Sequence, residues 1–325
     1  MIVSAGASAH GRPMLWKHRD TSCESNFVEK VPATANNYGY VALFNAGDSL
    51  LAEAWMGVND VDFAIMNTAS YNLAPDTAKY KDREGFLMTE ALKRCKTVND
   101  FERLLVSLPK PLGVQANFGV IDAEGNGAYF ETDDYSFKKF DLADAENGVL
   151  IRTNYSFSGK EDAGFGYIRF DNASRLLADK IASRSLTPAD FTETVSRSFY
   201  HSLLDKDLLA DGGKWIIDQD FVPRASSTAS IVIEGVGDEA PHSTMWTALG
   251  YPPCAIVEAV TVDNVPEGMR PTLPGYKSEI CEGVILDKRR VFSIRRGSGY
   301  RYINTAILRP IIERCHIQSM KNYER

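Results

Sequence analysis

Residues 11–20 read GRPMLWKHRD and combine a turn, an apolar run and a charged end within one segment. Gly11 and Pro13 are residues typical of a tight turn, and the apolar residues 14–16 that follow indicate a buried strand. The strand then passes through Lys17 and closes on Asp20. The segment therefore predicts a β-hairpin that brings charged side chains to the end of a buried strand.

Strand-like and helix-like segments alternate in blocks on either side of this hairpin. Strands are predicted at 2–3, 40–44, 50–58, 63–66, 117–142, 149–151, 229–234, 245–249 and 255–260, and helices at 87–95, after Thr97, at 171–181, at 188–204 and around 307–312. Antiparallel strand blocks that alternate with helix pairs differ from βαβ repetition. They favour an α+β fold with sheets stacked face to face and helices outside. We expect one domain over residues 1–325, with 265–325 as an extension that packs on the core.

Composition and motifs exclude several classes of protein. The net charge of −7 argues against a nucleic-acid surface, and the one basic cluster, at 288–290 and 295–296, alternates with apolar residues like a solvated strand edge. No apolar run approaches the roughly 20 residues of a membrane span. The five cysteines and five histidines show no metal-ligand spacing, and no phosphate-binding glycine loop is present. We expect no cofactor, no metal, no nucleic acid and no membrane span.

Polar residues stand at the ends of several predicted strands and at the start of one helix. Asp20, Asn67 and Asn154 each follow an apolar strand, and Arg169 precedes a helix. Taken singly, Asn and Asp at such positions usually begin turns. Taken together, they supply the side-chain donors and the carboxylate that hydrolysis of an amide requires.

The same segments resemble those of choloylglycine hydrolases and penicillin acyltransferases. Residues 11–20 resemble the DGxxxxxRNxD stretch that follows the N-terminal cysteine of that family, and 57–68 resemble its GxNExGLxxxxN segment. Residues 152–155 are similar to the TNY element, 169–173 to the SRFxRA helix start, and 227–250 to the last core hairpin. The order and spacing of these motifs, more than any single one, carry the resemblance.

The resemblance implies a four-layer αββα fold of the N-terminal nucleophile hydrolases, acting on a small acyl-amide substrate. In that family the nucleophile is an N-terminal cysteine, and its own α-amine, with a pKa near 8, serves as the base. By residue, Asp20 would orient the amine, and Asn67 would donate to the oxyanion. Asn154 would support the same intermediate or position the nucleophile, and Arg169 would stabilise the charges, with Arg175 as a second choice.

Two departures from the family's pattern bear on the mechanism. Lys17 stands where the family has arginine, which keeps the charge but loses the planar fork, and His18 stands where it has asparagine. Met1 occupies the region of the expected cysteine, so we expect a Cys-Thr pair two or three positions before it. Cys23 is a poor substitute, because cleavage before it would separate it from Asp20. If a removable leader precedes that cysteine, the protein is exported to a periplasmic or extracellular location.

Several alternatives stay open at the level of sequence. A catalytically inactive homologue that binds an acyl amide, or an acyltransferase, would carry the same motifs. Bile-salt conjugates, N-acyl amino acids and β-lactams are all candidate substrates, and both a monomer and a homo-oligomer are allowed. The aromatic residues of loop 155–167, with Trp16, Trp55, Phe199 and Tyr200, either line an apolar acyl pocket or pack in the core.

Overall fold

Two antiparallel sheets form the centre of the molecule. The computed structural model describes residues 1–74, 78–296 and 300–324, and strands and helices are numbered here in chain order. Within these residues the first sheet runs, edge to edge, Val149–Leu150 (β10), Ile2–Val3 (β1), Met14–Asp20 (β2), Ser227–Glu234 (β14), Thr244–Leu249 (β15) and Val257–Val260 (β16). The second runs Asn26–Val31 (β3), Tyr40–Asn45 (β4), Met56–Asn59 (β5), Ala64–Ala69 (β6), Ala116–Ile121 (β7), Gly127–Thr132 (β8) and Phe137–Asp141 (β9).

The two sheets stack face to face over a shared apolar core. Leu15 of β2 and Ile231 of β14 are buried against Val58 of β5 and Met66 of β6 in one cluster. Successive side chains of a strand point to opposite faces, so those on one face of each sheet form this layer. The predicted stacking of sheets is confirmed.

Helices cover the outer faces of both sheets. Glu84–Arg94 (α1) and Val98–Ser107 (α2) lie on the second sheet, where the Phe101 ring contacts those of Phe118 and Phe130 at centroid distances of 5.9 and 5.1 Å. The helix predicted after Thr97 is confirmed as α2, and a capping box between Thr97 and Asp100 begins it. Tyr167–Ala182 (α3), Glu279–Val291 (α4) and Thr305–Tyr323 (α5) lie beside the first sheet. The order of layers is therefore helix, sheet, sheet, helix.

Two small sheets of the described residues lie outside these layers, and three predicted elements differ from the structure. Of the strand predicted over 50–58, only 56–58 is strand, within β5. The small sheets pair Tyr200–His201 (β11) with Lys206–Asp207 (β12), and Trp215–Ile217 (β13) with Tyr300–Asn304 (β18) and Ile294–Arg296 (β17). The helix predicted over 188–204 is wrong beyond Arg197, because Phe191 is buried beneath α3 whereas Phe199 is buried in the cluster around α5. A continuous helix cannot serve both. Residues 288–290, predicted as a strand edge, lie in α4. No helix of the described residues combines the length and apolar character needed to cross a membrane.

The pairing of β1 positions the site described below. Ile2 lies opposite Leu15 of β2 on one side and Leu150 of β10 on the other. The N-terminal amino group of Met1 donates to the Trp16 carbonyl at 2.7 Å, which continues the ladder by one residue. From Lys17 to Asp20, β2 extends past β1 while its other edge stays paired with β14.

Candidate functional site

A cavity of about 640 Å³ opens where β1 ends. One flank is the stretch 17–21 at the end of β2, the other is 151–154 after β10, and residues 67–69 of β6 contribute from the second sheet. The predicted site residues all line this cavity: Lys17, Asp20, Asn67, Asn154 and Arg169. The structure thus brings together residues that lie as far apart as 17 and 169 in the chain.

Side chains of β2 alternate between the two sides of the first sheet at this point. Lys17 and Arg19 point toward the second sheet, since Lys17 Nζ donates to Asn67 and Arg19 Nη2 to Asn45. Trp16 and His18 point the other way, where the Trp16 ring packs 5.2 Å from that of Phe191. The side of β2 that faces the second sheet therefore presents Lys17 and Arg19 to the cavity, and the opposite side presents Trp16 and His18.

Lys17 fixes the amide of Asn67. Its Nζ donates to Asn67 Oδ1 at 2.6 Å and to the Trp55 carbonyl at 2.7 Å. Because Oδ1 accepts from Lys17 Nζ, the Asn67 Nδ2 group is the end of the amide left for the cavity, and no acceptor for it occurs among the described residues. Burial lowers the pKa of Lys17 well below its ordinary value, and the nearby Arg19 lowers it further. The arrangement presents a preset N–H donor at the cavity wall.

Asp20 is held on both of its oxygens. Arg224 donates to Oδ2 through Nε at 2.9 Å and Nη2 at 2.6 Å, and the Ser227 hydroxyl donates to Oδ1 at 2.6 Å. Burial alone would raise the pKa of Asp20, but Arg224, His18, Ser227 and Arg169 together outweigh it, and that pKa lies below its usual value. Asp20 is therefore an oriented carboxylate at neutral pH.

Asn154 and Arg169 form a second fixed pair on the opposite flank. Arg169 Nη2 donates to Asn154 Oδ1 at 2.8 Å, and Asn154 Nδ2 donates to the Ala69 carbonyl at 2.9 Å. Burial and the neighbouring Arg224 lower the pKa of Arg169 to about 10. Since both ends of the Asn154 amide are engaged, this residue orders the cavity wall, in contrast to the free donor of Asn67.

Arg175, the second choice for the cationic role, does not line the cavity. Its Nη1 lies 3.3 Å from the Tyr200 hydroxyl, on the exposed side of α3. Trp16 and Trp55 do line the cavity, as does Phe165 of the aromatic loop. Phe199 does not, because it is buried against Phe221 at a centroid distance of 5.4 Å.

Three cavity residues were missed as functional candidates in the sequence: Arg224, His18 and Arg152. Arg224 stands in an irregular stretch before β14 with no local signal. His18 had one, since residues 18 and 20 lie on the same face of a strand. Arg152 is buried, donates through Nε to Glu131 at 2.6 Å, and lies 3.8 Å from the centre of the Phe157 ring. It forms part of the rigid flank opposite β2.

The described residues that line the cavity include no cysteine and no metal cluster. Cys23 Sγ instead donates to the Ser25 carbonyl at 3.3 Å, and the other cysteines are buried. Among the described residues, no group of histidine, cysteine and acidic side chains is arranged to hold a metal ion.

Comparison with known proteins returns solved structures only. No family model matches the chain, and no curated protein matches it in sequence. Similar structures include a variant of the conjugated bile acid hydrolase from Clostridium perfringens, at 11% identity and a TM-score of 0.49, covering 82% of this chain and 93% of that one. A Caenorhabditis elegans ortholog of N-acylethanolamine-hydrolyzing acid amidase is 13% identical with a TM-score of 0.47, covering 74% and 94%.

Penicillin V acylase from Agrobacterium tumefaciens is also similar, at 15% identity and a TM-score of 0.44, covering 81% of this chain and 86% of that one. The solved structures to which the chain is similar are therefore of the kind that its sequence motifs predicted. At TM-scores below 0.5 these likenesses carry no weight for the activity of this particular chain.

Proposed function

We propose that this chain is the body of an N-terminal nucleophile hydrolase that cleaves a linear acyl amide, with a cysteine that precedes Met1 as the nucleophile. One observation carries the proposal: the cavity lies where β1 ends and is lined by the residues that follow β10 and by the end of β2. The stretch 17–20 borders it on one side and 151–154 on the other, as β2 and β10 border β1. We call this part of the cavity the slot.

The register of β1 assigns positions within the slot. Ile2 is opposite Leu15 and Leu150, and each step toward the N-terminus advances one residue along both neighbours. A residue three positions before Met1 would lie opposite Arg19 and beside Asn154. Opposite residues of antiparallel strands share a face, so its side chain would point with that of Arg19 toward the second sheet, where Asn67 lies.

The groups around that position fit the steps of amide hydrolysis. The α-amine, oriented by Asp20, takes the thiol proton, and the sulfur bonds to the amide carbon. The carbonyl oxygen becomes an oxyanion that accepts from Asn67 Nδ2, held in place by Lys17. The α-ammonium returns its proton to the leaving nitrogen, whose bond to carbon breaks, and water then cleaves the thioester. Asn154 and Arg169 keep the far wall of the slot in register.

The experiment varies the position of the N-terminal cysteine relative to Met1. Three versions of the protein carry a cysteine two, three or four residues before Met1, each exposed by a cleavable leader. Each is incubated with N-acyl glycines, glycine and taurine bile-salt conjugates and penicillin V, while release of free amine and the mass of the acyl-enzyme are followed. We expect turnover only with the cysteine three residues before Met1, because the side chain of the other two would point to the wrong face.

Two controls separate the mechanism from background. Cys→Ala in the active version and Asn67→Ala should each abolish or strongly reduce amine release, the latter by about 100- to 1000-fold in kcat. Equal turnover at two and three residues before Met1 would contradict the register. Folded but silent proteins at every position would contradict hydrolysis and favour an inactive protein that binds acyl amides. Amine release that depends on an added acceptor amine would identify an acyltransferase.

A further inference from the structure

A chain of hydrogen bonds leads from the core to Asp20 through side chains that the proposed mechanism leaves without a role. Trp16 Nε1 lies 3.0 Å from Ser230 Oγ, and Ser230 Oγ lies 2.7 Å from Ser196 Oγ. His18 Nδ1 is 3.1 Å from Ser196 Oγ, and His18 Nε2 is 2.9 Å from Ser227 Oγ. The Ser227 hydroxyl then reaches Asp20 Oδ1 at 2.6 Å.

The carboxylate end fixes the direction of the last two links. An ionised carboxylate only accepts, so the single hydroxyl proton of Ser227 is donated to Asp20. Ser227 Oγ must then accept at its other contacts, which include the Arg224 backbone N–H at 3.0 Å. Its contact with His18 therefore requires a proton on His18 Nε2.

The tryptophan end agrees with this direction. An indole N–H only donates, so Ser230 Oγ accepts from Trp16 and is free to donate to Ser196. Ser196 then donates its own proton to Nδ1 of His18, which in the neutral ring carries a lone pair. Every hydrogen bond in this series is therefore donated in the direction of Asp20, and each hydroxyl donates only once.

We propose that His18 is a positioning residue for Asp20: its neutral imidazole, with the proton on Nε2, is the central link of a one-way hydrogen-bond chain from Trp16 to that carboxylate. The chain keeps the Ser227 hydroxyl on Oδ1, so that the carboxylate presents its remaining lone pairs to the slot. The catalytic part of this inference rests on the proposed function, whereas the tautomer does not.

The charges around His18 are consistent with a neutral ring. The pKa of His18 is lowered to about 4, chiefly by burial. Asp20 on the same strand opposes this shift, and Arg224 before β14 and Arg169 on α3 add to it. A second proton, on Nδ1, would also turn the Ser196 contact around. Ser196 and Trp16 would then both donate to Ser230, which would lose its acceptor.

The first test reads the tautomer on the chain as it stands. In protein labelled with ¹⁵N-histidine, His18 is assigned as the signal that disappears in His18→Gln. We expect a neutral ring protonated on Nε2 at pH 7, and a shift of population toward the Nδ1 tautomer in Ser227→Ala. A proton on Nδ1 or on both nitrogens, or an unchanged tautomer in Ser227→Ala, would overturn the inference, whatever the protein does with amides.

The second test uses the active version with the added cysteine. His18→Phe keeps a ring but donates nothing, whereas His18→Gln retains an amide N–H for Ser227. We expect His18→Phe to lower kcat about tenfold or more with KM unchanged, and to move the acid limb of the pH profile upward, while His18→Gln retains most activity. Equal losses with unchanged pH profiles would mean a merely structural role. If His18→Phe fails to fold, the tautomer measurement decides.

Discussion

Arg224 donates two hydrogen bonds to Asp20 Oδ2, from Nε at 2.9 Å and from Nη2 at 2.6 Å, although the two residues lie 204 positions apart in the chain. Both of these bonds end on Asp20 Oδ2, and the Ser227 hydroxyl donates to Oδ1, so the carboxylate is held at both of its oxygens. The Asp20 side chain is 19% exposed, so it still reaches the cavity. This pair sets the electrostatics of the end of β2.

Replacing Arg224 should change the acid limb of the pH profile. Arg224→Met removes the cation that lowers the pKa of Asp20, so that pKa rises and the carboxylate protonates at higher pH. We expect the acid limb of kcat/KM in the active version to move upward. Arg224→Lys, which keeps the charge without the fork, should move it less. An acid limb that stays in place in Arg224→Met would show that Asp20 does not control it.

Arg169 and Arg175 both lie on α3, so a substitution at Arg175 is a control for the same substitution at Arg169. Arg169→Met breaks the hydrogen bond to Asn154 at the cavity wall, whereas Arg175→Met removes an exposed contact with Tyr200. We expect the first to reduce kcat/KM by about tenfold or more and the second to change it less than twofold. Steady-state kinetics of the active version measure both. A comparable loss in Arg175→Met would contradict the placement of the site.

We expect the buried Lys17 side chain to lower the free energy of unfolding while it supports activity. Its buried ammonium has a pKa well below the ordinary value, chiefly because of burial, which means that the protonated form is disfavoured in the folded protein. Lys17→Met should therefore keep or increase the free energy of unfolding measured in urea at pH 7, while it releases the Asn67 amide and lowers kcat. Loss of stability together with full activity would contradict this role.

His18 should make stability depend on pH. Its pKa is about 4 in the folded protein against 6.5 unfolded, so between these values the unfolded chain binds the extra proton. The free energy of unfolding therefore falls as pH drops from about 6.5 toward 4, by up to about 3 kcal/mol for this group. Urea unfolding of wild type and His18→Gln at pH 7 and pH 4.5 should show that the free energy of unfolding falls more in the wild type than in the variant. An equal fall in the two proteins would contradict the shift.

Glu131 and Arg152 form a buried ion pair whose halves depend on each other. Their side chains are 0% and 1% exposed, and Glu131 also accepts from the backbone amides of Phe157 and Ser158. Glu131→Ala leaves a buried guanidinium without its partner and should cost about 3–5 kcal/mol of unfolding free energy. In urea unfolding, adding Arg152→Met should recover part of that loss. Additive effects in the double variant would show that the pair is not coupled.

Local patterns in the sequence predicted much of the fold because they act over a few residues. The apolar run that opens β2, the helix after Thr97 and the helix around 307–312 were all predicted in this way. The same holds for Asn154, which follows β10, whereas Asn67, predicted to end its strand, lies within β6. That residues 1–325 form a single domain stays a prediction.

The sequence by itself determined most strands of the two central sheets and the order of the layers, because these follow from periodicity and turn chemistry. Only the tertiary structure decided that Arg224 meets Asp20, that Lys17 turns the amide of Asn67, and that the slot lies between β2 and β10. It also decided that the helix predicted over 188–204 stops at Arg197. The physical reason is common to all four: strand register and burial against distant segments depend on contacts between residues far apart in the chain, which no local pattern records.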